Sequence, residues 1–90
     1  MTKTREQNVS KEVELLVSER ELVVFNDEVN TFDFVIDSLI KVCKHERVQA
    51  EQCAHIIHFK GKYGVKHGDW PVLEPMCTAL LDRGITAEIH

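Results

Sequence analysis

Leu22-Val23-Val24-Phe25-Asn26-Asp27-Glu28-Val29-Asn30-Thr31-Phe32-Asp33-Phe34-Val35-Ile36 is the stretch on which the reading of this chain turns. Its first four residues are apolar, two of them β-branched and one aromatic, with polar residues on either side. That is the pattern of a short buried strand. Asn26, Asp27 and Glu28 end it, since such side chains bond their own backbone and favour a loop. Asn30 then stands at a helix N-cap position, with Asp33 three residues on as an acidic capping partner. Phe32, Val35, Ile36, Leu39, Ile40 and Cys43 recur at helical spacing, so one stripe of the following helix faces a core.

Working outward, Arg47 to Phe59 reads as a second helix with Ala50, Cys53, Ala54 and Ile57 on one face, and Gly61 stops it. Tyr63 and Val65 alternate with Lys62, Gly64 and Lys66, which gives a short strand with one solvent face. Asp69 caps a third helix carrying Leu73, Met76, Cys77, Leu80 and Leu81. Pro71 falls in its first turn, where a missing N–H costs nothing. Pro75, one turn further in, either bends the helix or delays its start. Arg83-Gly84 closes the helix, and Ile85, Ala87 and Ile89 alternate as a last strand. The order is β-α-α-β-α-β: an α+β fold, one small domain, with a three-stranded antiparallel sheet against three helices. This core is expected over residues 21–90. Residues 1–20 are expected to be a flexible N-terminal extension; 1–10 hold little that could pack, and 11–20 carry a short apolar run that could order against a partner.

Ninety residues leave no room for a second domain. At 43% hydrophobic and 29% charged the chain is neither wholly disordered nor a coiled-coil rod. No apolar run approaches a membrane span, and no apolar region follows Met1 to Glu6, so neither a membrane anchor nor a secretory signal is read. Cys43, Cys53 and Cys77 are odd in number and form no C-x-x-C pair, which fits a reducing cytoplasm rather than a disulfide framework. The net charge of −4 is mostly N-terminal, with four Lys/Arg against seven Asp/Glu in residues 1–28, and it argues against a dedicated nucleic-acid binder. A chain so short builds a core but little of a deep enzyme cleft, which favours a binding module.

Each chemically suggestive cluster has a functional and a plain structural reading. The loop Asn26 to Asn30 is either an acceptor-rich site for a cation or a turn that satisfies loose backbone groups and caps a helix. His55 and His58 lie i, i+3 on the second helix. Two ligands do not close a tetrahedral metal site, so no metal is expected; the plain reading is one surface and one partly packed histidine. The three cysteines sit on apolar helix faces and read as small hydrophobes. Together with His55 and His58, Cys53 would define a rival thiol or metal enzyme. Lys60, Lys62 and Lys66 with His67 form a basic patch, the basis of an alternative RNA- or phosphate-binding module, or else a solvated face that blunts a sheet edge. Phe32, Val35, Ala54 and Ile57 are core by default, but together with the loop they make an apolar pocket rimmed by acceptors.

Val24-Phe25-Asn26-Asp27-Glu28-Val29-Asn30-Thr31-Phe32-Asp33-Phe34-Val35 is similar to the signature of the ClpS family, adaptors of ATP-dependent Clp proteases. The similarity continues through Ile56-Ile57-His58-Phe59-Lys60-Gly61, where that family carries a histidine just before a glycine, and through Gly64-Val65, the third helix and the last strand. It covers about residues 21–90. The resemblance implies a non-enzymatic module without cofactors that binds proteins whose first residue is a bulky Leu, Phe, Tyr or Trp and hands them to a Clp AAA+ unfoldase of ClpA or ClpC type, as a monomer in the cytoplasm. It further implies that Asn26 and His58 hold the free α-amino group, with Asp27 or Glu28 supplying negative charge. Asn30 and Thr31 would form the rim and helix cap. Phe32, Val35, Ala54 and Ile57 would line the side-chain pocket. Asn30 stands where many members have Thr, Phe32 where others have Met, and Ala54 where others have a larger residue, so floor and mouth are reshaped.

Overall fold

A strand over Arg20–Phe25 (β1) runs through the centre of the molecule. In the computed structural model, which describes residues 19–90, it pairs antiparallel on one side with Lys62–Gly68 (β2) and on the other with Ala87–Ile89 (β3). Between them lie three helices, Phe32–Cys43 (α1), Arg47–Lys60 (α2) and Trp70–Asp82 (α3). The element order is β-α-α-β-α-β. The expected extension over 1–20 lies outside the described residues except for Glu19 and Arg20, and Arg20 already belongs to β1.

The central strand is apolar because both its edges and its helix-facing side are covered. Leu22 and Val24 point into the helices and join Ile36, Leu39, Ala50, Ile57, Leu73, Leu80 and Ile85 in one core. Val23 is buried on the other face, beside Glu21. The register of β1 against β2 slips between Leu22 and Val23, so that Val65 is an extra residue in β2. Such a bulge bends and twists the ribbon toward the helices. Val65 is itself buried in the core.

The helix ends correct the sequence reading in detail. Thr31, not Asn30, is the N-cap of α1: its Oγ1 accepts from the backbone N–H of Phe34 at 3.0 Å. Asn30 is diverted, because its side chain is engaged by Asp27 and by the carbonyl of Gly84. α2 reaches Lys60, one residue further than expected. Asp69 takes the N-cap position of α3 without a side-chain capping bond, and the helix starts at Trp70 and runs through Pro75. Arg83 ties α3 to α1, its Nε donating to the buried Ser38 Oγ at 2.8 Å while its guanidinium lies over Phe34. No helix among the described residues is long and apolar enough to cross a membrane.

Candidate functional site

The end of β1, the start of α1 and the last turns of α2 meet at one place. Gly61 brings this about. It closes α2 with φ 90°, a left-handed conformation that glycine adopts at little cost, and its carbonyl accepts from the backbone N–H of Asn26 at 2.8 Å. The residue leaving β1 is thereby pinned beside the end of α2, one turn from His58.

The following loop is organised by a single carboxylate. Asp27 Oδ1 accepts from the backbone N–H of Val29 at 2.8 Å and of Asn30 at 2.7 Å, and Oδ2 accepts from Asn30 Nδ2 at 2.8 Å. Asn30 Nδ2 also donates to the Gly84 carbonyl at 2.9 Å, which fastens the loop to the turn after α3. The Asn30 backbone bond, then its side-chain bond, hold the Asp27 carboxyl below the usual carboxylate range, against a smaller opposing effect of burial. Asp27 therefore carries a full negative charge at neutral pH.

Between this loop and the two helices lies a cavity of about 220 Å³, lined by Asn26, Asp27, Asn30, Phe32, Val35, Ala54, Ile57 and His58. The polar four come from the loop and the end of α2; the apolar four come from the facing sides of α1 and α2. Within the described residues no hydrogen bond engages the Asn26 side-chain amide or the His58 ring nitrogens. Phe32, first residue of α1, sets its ring edge-on to two imidazoles, His58 at 6.4 Å and His55 at 4.8 Å between centroids. Glu28 and Thr31 stand outside the lining and are exposed, so of the two candidate carboxylates Asp27 is the one at the cavity.

The other clusters are dispersed or sealed. His55 and His58 are both exposed, where one had been expected to be partly packed. Cys43, Cys53 and Cys77 are buried, and burial pushes all three thiols up, Cys43 to about 11. Among the described residues no three His, Cys, Asp or Glu gather as a metal cage. Lys62 lies over the Phe25 ring at 5.9 Å, Lys66 is half-buried along β2, and Lys60 ends α2. His45, which the sequence reading passed over, is buried in the turn between α1 and α2 with neither ring nitrogen in a hydrogen bond. Its one sequence signal is its position between two apolar helix faces.

A loop rich in acceptors, closed over an apolar cavity between two helices of a small α+β fold, defines a recognition module for a ligand that is polar at one end and apolar at the other. Residues 18–88 match the family described as ATP-dependent Clp protease adaptor protein ClpS, and the chain belongs to that family. Among solved structures it is similar to Agrobacterium tumefaciens ClpS2 bound to L-phenylalaninamide, with a TM-score of 0.76, 15% identity, and 80% of this chain and 94% of that chain covered. At that identity the likeness is one of fold. No curated protein matches the sequence.

Proposed function

We propose that this adaptor binds proteins with a bulky hydrophobic first residue, Leu, Phe, Tyr or Trp, and delivers them to a Clp AAA+ unfoldase of ClpA or ClpC type. The single observation that carries the reading is the cavity itself, in which unpaired acceptors stand at the lip of an apolar hole. An α-amino group has a pKa near 7.7–8.0 and is mostly ammonium at neutral pH, with three N–H donors. The Asn26 amide oxygen, a neutral His58 nitrogen and the Asp27 carboxylate, directly or through water, answer those donors. Phe32, Val35, Ala54 and Ile57 take the side chain. The ligand of the Agrobacterium protein, L-phenylalaninamide, has this chemistry: an apolar ring, a free amine and an uncharged amide at the other end.

Neither half of the site suffices by itself. Burying one Leu or Phe side chain contributes about 1.5–3 kcal/mol, whereas a micromolar complex needs about 8 kcal/mol. The ammonium contacts must supply much of the difference. An acetylated terminus lacks the charge and two donors, and leaves acceptors unpaired at about 1–3 kcal/mol each.

The test is a calorimetric titration with peptides that differ only at residue one and in N-terminal blocking. Free Leu- and Phe-initiated peptides should bind, while acetyl-Leu and free Ala- or Asp-initiated peptides should bind at least tenfold more weakly, the effect of about 1.4 kcal/mol. Equal binding of free and acetylated Leu peptides overturns the reading. Delivery is tested separately, by degradation of a Leu-initiated reporter with a Clp unfoldase and peptidase in the presence and absence of the adaptor.

A further inference from the structure

Phe32 is gripped from outside the cavity as well as from its lip. His55 takes no part in the lining, yet its ring meets Phe32 edge-on, with centroids 4.8 Å apart and planes at 63°. His58, three residues further along the same face of α2, meets the same ring at 6.4 Å and 87°. Phe32 needs such support. It is the first residue of α1, with its backbone set by the Thr31 cap, but it remains 38% exposed and has room to turn. Ala54, also in the lining, offers a single methyl.

We propose that His55 is a positioning residue that sets the ranking among first residues. It holds the Phe32 ring upright as a wall of the cavity, so that an aromatic first side chain gains a ring-on-ring contact that Leu cannot make. This rests on the N-terminal recognition reading above. Aromatic pairs are favourable in edge-to-face and offset arrangements, and a wall ring fixed beforehand does not have to be ordered when the ligand enters. Without His55 the Phe32 ring turns among its rotamers, and the aromatic advantage averages away while the apolar contact with Leu persists.

The experiment measures Phe- and Leu-initiated peptides, otherwise identical, against the full chain and its His55→Ala, His55→Phe and Phe32→Leu variants, and the His55→Ala/Phe32→Leu double variant. Wild type should favour Phe over Leu by about three- to tenfold, the value of one aromatic pair. His55→Ala should bring the two within about twofold by weakening Phe and leaving Leu nearly unchanged, and His55→Phe should restore the preference. In the Phe32→Leu background His55→Ala should have no further effect on the ratio, because the two residues act as a pair. His55 and Phe32 are both exposed, so all the variants should stay folded and melt within a few degrees of wild type. A Phe-to-Leu ratio that is unchanged in His55→Ala, or equal affinities in wild type, overturns this proposal alone. If wild type binds neither peptide, the recognition reading falls and takes this proposal with it.

Discussion

At the scale of single residues, Asp27 does two jobs with one charge. Three of its acceptor positions hold the loop through Val29 and Asn30, and what remains of its field faces the cavity. Asp27→Ala should therefore weaken peptide binding about five- to tenfold, the loss of one or two hydrogen bonds, through a loosened rim as much as through lost charge. It should also remove an acid-dependent share of stability. The folded carboxyl titrates below its ordinary 3.8, so its contribution is complete above that value and disappears as pH falls through the lower, folded one. In urea unfolding, the gap between wild type and Asp27→Ala should narrow from about pH 5 to about pH 2. Asn26→Ala and His58→Ala should each reduce affinity for a free Leu-initiated peptide about tenfold but leave the weak binding of an acetylated one no weaker, because the variant has one acceptor fewer to leave unpaired.

At the scale of elements, the site depends on two helix ends. Thr31→Ala removes the cap of α1 and should cost about 0.5–2 kcal/mol in chemical unfolding. Gly61→Ala forces a side chain into the left-handed region at φ 90°, at about 1–2 kcal/mol, and should weaken peptide binding as well, since Asn26 hangs on the Gly61 carbonyl. Most of this architecture was legible beforehand. Leu22 to Phe25 shows its strand by composition, α1 shows its stripe by spacing, and Gly61 and Gly84 mark helix stops because few other residues turn left-handed cheaply. The four apolar lining residues were legible as two helix faces meeting below a polar loop. What escaped were contacts between groups far apart in the chain. Asn30 reads as a cap by its neighbours, and only the Gly84 carbonyl, brought alongside by the fold, explains why Thr31 caps instead. His55 and His58 read only as one surface and one partly packed histidine, because nothing local announces Phe32 against the His55 ring. Pro75 reads as a bend or a delayed start, yet α3 already begins at Trp70, and the buried stripe of Leu73, Cys77 and Leu80 carries it through the proline.

At the scale of the whole molecule, stability should lean on a histidine that the proposed binding site does not touch. His45 is 4% exposed; burial lowers its pKa from 6.5, the Val65 backbone pulls the other way, and the Lys66 charge adds to the fall. The unfolded chain then takes up a proton near 6.5 that the folded chain refuses, so stability is retained above that value and drains away as pH falls below it. The urea midpoint should decline between about pH 6.5 and about pH 5, and His45→Leu should flatten that decline. The three sealed thiols make a second global readout. A thiol reagent at neutral pH should label the native protein slowly and the urea-unfolded protein fast, because labelling waits for opening. The central strand, finally, separates two poles. The cavity sits at its Phe25 end, while the chain enters the sheet at Arg20, five residues and about 17 Å away, where Glu21 and His90 exchange backbone bonds. On the proposed reading, cargo is seized at one pole, and the strand begins at the other. A pull applied at Arg20 would load the backbone of β1 lengthwise, through a strand bonded on both flanks, before any strain reached the loop that lines the cavity.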